Sequence, residues 1–478
     1  MHKYVKELLG GSLIYGISGI VTGVVAIFLV PIYTRIFSPA DYGVLSLVNV
    51  TYFLLTIFVI ASLDNSAALW YWELTEEEER KKTFASWAYF SFAFSLSLAG
   101  GIILLSQQIS TLLFKDAHYY YLLNLMAAAL VVTSLQKVVN IWFRVRKKPV
   151  WATAYALTVS LTMTGLSILL VVKLDYGLAG VFWAQIGSGI ISFVLAIVLM
   201  AKWFLPKYLD FARLREMLIF ALPMIPASVS FWLMNSASSY FVSHYTNSTE
   251  VGLYQLGYTL ASGISLATVA FMQAWSPFAF SIAKNEDHRQ TYADVFLVYV
   301  YWCGFAVMGV FLFAPEVLAI LAPASFSGAA FVAGLLGLNV AILSLPSIVV
   351  IGCALVRTIA PFSKAVIIGS IISVLLFMLM IPVWGKEGAA ISSILGNIFI
   401  FLYVFYNAQK LYFIPYNLSK ASLVFVVAVI LSILCLWASN NQSPAIMLFV
   451  KLSLIIGYAG FALFASYKIK NNLDISPS

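Results

Sequence analysis

From Phe211 to Phe280 the chain holds two long apolar runs joined by the short polar turn NSTE, with basic residues before them and the charged cluster Lys284 to Arg289 behind. A helix needs about 20 apolar residues to cross a bilayer. Backbone in lipid must also satisfy its own hydrogen bonds, which restricts the options to helices and closed barrels. The stretch therefore reads as a membrane hairpin. Runs of this kind recur along the whole chain. With 62% of its 478 residues hydrophobic and only 10% charged, the chain has too little polar surface to close a water-soluble globule.

The expected class is an all-α polytopic membrane protein with about fourteen spans. Those of the first half fall near 8–34, 42–64, 84–106, 119–142, 150–172 and 177–201, and those of the second near 217–243, 251–275, 293–314, 329–352, 365–384 and 388–407. A further pair follows near 421–438 and 446–467. The first run is of full spanning length and lacks a small-residue cleavage site, so it reads as a retained helix rather than a signal peptide. Alternate loops carry very different charge. Most lysines and arginines fall on one side, and only Arg35, Lys115, Lys173 and Lys386 on the other, which places both termini in the cytoplasm. The net charge of +8 comes in small groups between apolar runs, which suits orientation in a membrane and not nucleic-acid binding.

The two halves echo one another at an offset of about 210 residues. Asp41-Tyr42-Gly43-Val44 lines up with Glu250-Val251-Gly252-Leu253, the stretch around Arg144 and Pro149 with that around Arg357 and Pro361, and DYGLAGVFWAQIGSGI with GKEGAAISSILGNI. Six spans per unit means both halves enter the membrane from the same side, so an axis along the membrane normal would relate them. The expected organisation is a six-helix lobe over 1–208, a pseudo-symmetric six-helix lobe over 209–419, and a two-helix hairpin with a tail over 420–478. Two such lobes suit a cleft opening alternately to each side, which is how a transporter is built. No loop is long enough to fold as a separate domain.

Polar groups at bilayer depth are costly and therefore informative. On the fourth span Lys137, Asn140 and Arg144 follow at helical spacing and share one face, with Gln136 beside them. Such a cationic stripe facing a cleft would attract phosphate, while a lysine two turns from a span end also suits snorkelling to the interface. The seventh span carries Ser228, Ser230, Asn235, Ser236, Ser238 and Ser239, faced across the hairpin by Gln255 and Tyr258. Single serines suit helix packing, whereas Asn235 and Gln255 are harder to hide and mark cavity positions. Pro31, Pro223 and Pro226 interrupt spans and suit helices that bend during gating. Asp64 and Asp294 fall near the cytoplasmic ends of spans and are not counted as buried proton carriers.

No G-x-x-x-x-G-K loop followed by Ser or Thr is present, which argues against direct use of ATP. No deep cluster of His, Cys or carboxylates supports hydrolysis. Cys303, Cys353 and Cys435 lie in apolar runs without metal-ligand spacing, so neither a disulfide, a metal nor a cofactor is expected. Transport would draw on a gradient, of H+ or Na+ for example, or on the substrate's own downhill flow.

The stretches LVPIYTRIFSPADYGVLSLV, FALPMIPASVSFWLMNS, EVGLYQLGYTLAS and QAWSPFAFS resemble the polysaccharide-biosynthesis flippases, the Wzx-type O-antigen and capsule transporters. These belong to the MOP superfamily, with the MurJ lipid II flippases and the MATE exporters. The resemblance covers about the first 400 residues. It implies a fourteen-helix protein of the bacterial inner membrane that carries an undecaprenyl-pyrophosphate-linked oligosaccharide to the outer leaflet. Membrane lipids, and the polymerase and chain-length regulator of the same pathway, would be its partners. An anionic headgroup needs compensating cations, for which Lys137, Arg144, Arg35 and Arg357 are the candidates. Many relatives carry an Asp-Arg pair after the seventh-span asparagine where this chain has Ser238-Ser239. The rival readings are a MATE-like cation-coupled drug exporter and an O-antigen polymerase.

Overall fold

The computed structural model describes residues 28–438 and 444–474. Their regular structure is helical throughout. In chain order the helices are α1 (28–36), α2 (Pro39–Ile60), α3 (Leu63–Glu73), α4 (Glu77–Leu104), α5 (Ser106–Phe114), α6 (Tyr120–Thr133) and α7 (Gln136–Val145). There follow α8 (Pro149–Ser167), α9 (Gly177–Leu199), α10 (Phe211–Ala221), α11 (Ile225–Ser236), α12 (Ser238–Tyr245) and α13 (Ser248–Ser281). The rest are α14 (His288–Leu321), α15 (Ala329–Ser344), α16 (Pro346–Val349), α17 (Ile351–Leu355), α18 (Ala360–Leu411), α19 (Leu418–Ala438) and α20 (Pro444–Asp474).

Among the described residues, twelve helical segments are long and apolar enough to cross a membrane, against the fourteen spans expected. One of the twelve is α18, whose 52 residues hold two expected spans that meet at Gly385 (φ 54°, ψ −133°). Only glycine adopts that conformation without strain. The expected first span lies largely outside the described residues.

The duplication is written into the caps and breaks. Ser38 accepts a hydrogen bond from the Asp41 amide at the start of α2, and Asn247 accepts one from the Glu250 amide at the start of α13. The α6–α7 break has Ser134 donating to the Val131 carbonyl, and the α15–α16 break has Ser344 donating to the Ala341 carbonyl. Lys147 and Arg357 both take positive φ in the next turn, as do Asp175 and Gly385 in the one after. Each pair is separated by 209 or 210 residues (247 − 38; 344 − 134, 357 − 147, 385 − 175). Caps and left-handed turns are specified by a few local residues, so two copies of the signals produced two copies of the geometry. By this measure Arg357 corresponds to Lys147 and not to Arg144.

The chain forms two compact units, Met1–Gly252 and Leu253–Ser478. In the first, a core gathers Leu63, Phe84, Trp87, Val138, Val139, Trp142, Met200 and Met217, all buried. Trp203 packs edge-on against both Phe84 and Trp142. Lipid is as apolar as these side chains, so close packing rather than escape from water holds such a core. The seventh span is pinned to this unit at its start. Asp210 caps α10 by accepting from the Arg213 amide, its own amide donates to Ser86 Oγ at 2.9 Å, and the Arg213 guanidinium pairs with Glu79 at 2.9 Å. The span then breaks in a 3₁₀ turn, Leu222–Met224, around Pro223, with Pro226 in the first turn of α11. Proline lacks the amide hydrogen that an unbroken helix would need there.

In the second unit α14 packs against α15, α19 and α20. The contact with the last two helices is lined by Met308, Leu312, Ala428, Cys435, Met447 and Tyr458. Cys303, Cys353 and Cys435 are buried free thiols.

Candidate functional site

Two breaks in the first unit bring opposite charges together within candidate membrane spans. The second span does not stop near residue 64 as its hydropathy suggests. It is interrupted at Ala61 and Ser62, both in left-handed backbone (φ 51° and 56°), and resumes as α3 to Glu73. Two consecutive non-glycine residues in that region cost about 1–2 kcal/mol each, so packing must hold the break. Asp64 lies in the first turn of α3, nine residues before its end, about 13 Å at 1.5 Å per residue. The fourth span is interrupted differently, between α6 and α7, where Ser134 and Leu135 stay right-handed (φ −55° and −86°), which puts Lys137 in the first turn of α7, eight residues before Val145. Lys137 Nζ stands 3.3 Å from Asp64 Oδ2. The two form an ion pair at matching distances from the ends of their spans.

The pair is unevenly covered. The Lys137 side chain is 43% exposed and that of Asp64 20%. Asn140, one turn along α7, donates its side-chain amide to the Gln136 carbonyl at 3.0 Å. Arg144 is exposed near the end of the same helix, and Arg35 is exposed at the end of α1. Thus Lys137 and Asn140 share one stretch as the sequence predicts, and Asp64 is the member of the group that hydropathy alone misplaces.

The seventh span packs on the second. Thr51 Oγ1 and Tyr240 OH lie 2.7 Å apart, and Trp232 Nε1 donates to the Val50 carbonyl at 3.3 Å. Asn235 donates to the Phe231 carbonyl of its own helix at 2.8 Å. Ser238 and Ser239 are buried at the start of α12. Tyr52 OH and Thr133 Oγ1 lie 2.7 Å apart beside this group, joining α2 to α6. Gln255 and Tyr258, half-buried on α13, belong to the second unit, as does Arg357, exposed in its left-handed turn. Pro31 lies within α1.

A second intramembrane ion pair escapes sequence reading. Lys451 in α20 is 3% exposed and its Nζ stands 2.7 Å from Glu316 Oε1 in α14. Its signal is a lone lysine inside the apolar run MLFVKLSLII, which the loop-by-loop comparison of charge passes over. Asn339 and Asn397 form a buried amide pair at 2.7 Å between α15 and α18. Among the described residues, no three His, Cys, Asp or Glu side chains gather as metal ligands. Lys137 combines charge, a place inside its span and partial exposure.

Residues 32–322 match a family described as "Polysaccharide biosynthesis protein". A Haemophilus influenzae protein described as "Lsg locus putative protein 1" is 24% identical over 285 residues, which cover 58% of this chain and 66% of that protein, just under two thirds. The fold is similar to that of the lipid II flippase MurJ in an inward closed conformation, with a TM-score of 0.76 and 14% identity over 96% of this chain and 99% of that one. It is also similar to an inward-facing MATE family multidrug resistance transporter of the MOP superfamily, with a TM-score of 0.63 and 15% identity over 82% of this chain and 95% of that one.

Proposed function

The chain belongs to the polysaccharide biosynthesis protein family, and on that premise we propose that it is a flippase for undecaprenyl-pyrophosphate-linked oligosaccharide repeat units. It carries them from the cytoplasmic to the outer leaflet of the bacterial plasma membrane by alternating access, with both termini in the cytoplasm. The units then serve assembly of O-antigen, capsule or exopolysaccharide, alongside the polymerase and chain-length regulator of the pathway. It acts as a transporter and not as an enzyme, without a cofactor, and draws on a gradient, of H+ or Na+ for example, or on the substrate's own downhill flow.

The observation that carries this reading is Lys137, a half-exposed ammonium well inside the span. An ammonium there supplies a charge-assisted partner for a pyrophosphate, while the sugars stay in a hydrated cavity and the polyprenyl tail in lipid. The fold similarity to a lipid II flippase supports a lipid-borne substrate.

The test is deletion of the gene in its host, with the leaflet location of lipid-linked oligosaccharide as the readout. Complete repeat units trapped facing the cytoplasm, restored by the parent gene and not by Lys137→Ala, are the expected result. Single units delivered outside but left unpolymerised would instead point to a polymerase. Normal glycan with new sensitivity to cationic dyes would point to a drug exporter.

A further inference from the structure

We propose that Asp64 is a built-in counter-ion for Lys137, which holds the ammonium while the site is empty and yields it to the anionic headgroup of the substrate. The inference rests on the flippase reading and adds how the site empties. An anion carrier has to release its cargo, and release from a lone lysine would leave a bare cation deep in the membrane, where unpaired charge is costly. A carboxylate waiting at 3.3 Å removes that cost and lets the cargo go.

Three further observations fit exchange and not a fixed brace. The partners are unequally reachable, with the cation 43% and the carboxylate 20% exposed, so an incoming anion meets Lys137 first. Both lie in the first turn of a helix. There the backbone dipole stabilises an aspartate when its partner leaves, and disfavours a lysine that lacks an anion. Finally, the pair is not part of the duplicated scaffold. At the offsets that relate the two halves, Asp64 and Lys137 correspond to Gln273 and Ser347 (64 + 209; 137 + 210). The repeated fold is thus built without a charge at either place in its second copy.

The experiment titrates the purified full-length protein in detergent with inorganic pyrophosphate and with farnesyl pyrophosphate, following tryptophan fluorescence. Asp64→Asn, which keeps the shape and removes the competing charge, is expected to bind both probes roughly three- to tenfold more tightly than the parent, the weight of a partly exposed ion pair. The same variant is expected to export more slowly, because release is no longer assisted. Lys137→Gln is expected to lose binding. The exchanged pair, D64K with K137D, is expected to recover thermal stability without recovering binding. Asp64→Ser replaces the Asn variant should that one not fold.

Affinity unchanged or weakened in the Asp64 variant, with Lys137→Gln still losing binding, overturns the counter-ion and leaves the flippase reading standing. Parent-like binding by the exchanged pair likewise reduces it to a brace. Pyrophosphate binding retained by Lys137→Gln overturns the site itself, and the counter-ion with it.

Discussion

Gly43 and Gly252 each occupy the space that the other's side chain would need. A Cβ built on Gly43 would land on the carbonyl oxygen of Ser248, and one on Gly252 would land on that of Pro39. The contact reverses on itself at a single offset, 209 residues for both pairs (252 − 43 and 248 − 39). Two equivalent first turns, those of α2 and α13, meet backbone to backbone, and small residues permit that approach in lipid.

Gly43→Ala and Gly252→Ala should each lower stability by about 1–3 kcal/mol, since the obstacle is backbone and cannot rotate away. The double variant should cost less than the sum, because either methyl alone parts the same two turns. Thermal unfolding in detergent of the two single variants and the double one checks this. Additive losses would mean that the turns are not joined at these two positions.

Lys451 and Glu316 hold α20 against α14. Glu316→Leu strands a lysine that is 3% exposed and should cost about 3 kcal/mol, Lys451→Met leaves a carboxylate that is 42% exposed and should cost less, and the two together should be near neutral or stabilising. Protease sensitivity of the last two helices, compared across the three variants, reads the difference. Equal sensitivity in the single and double variants would remove the pair from the account of docking.

Asn339 donates nothing to Asn397 in this arrangement. It accepts from the Asn397 amide through its side-chain oxygen at 2.7 Å. Interhelical hydrogen bonds of this kind in membranes average about 0.6 kcal/mol, so a double-mutant cycle with Ala at both positions should return a coupling of that order. A coupling several times larger would indicate a network extending beyond the pair.

Pro223 and Pro226 bracket the 3₁₀ turn between α10 and α11. Replacing both by Ala allows α10 to run on into α11, and relief of an interior proline is worth up to about 3 kcal/mol. Stability should rise and export should fall if the bend is used during transport. Export at the parental rate with a straightened span would assign the prolines a static role.

Much of this protein was fixed by local signals in its chain. Apolar runs of spanning length set its class. The capping residues Ser38 and Asn247, with the turns at Lys147 and Arg357, set the repeat. Each such signal acts within a few residues, so it survives reading one window at a time. Hydropathy alone put the end of the second span at Asp64, because neither Ala61 nor Ser62 is a residue that favours left-handed backbone, and theirs is held by packing. The pairings of Asp64 with Lys137 and of Glu316 with Lys451 join residues 73 and 135 positions apart (137 − 64 and 451 − 316). The meeting of Gly43 with Gly252 is likewise nonlocal. Such contacts depend on the register at which separate helices pack, a property that no single span encodes. Only the tertiary structure therefore decided which charge at bilayer depth has a partner and which glycine has a neighbour.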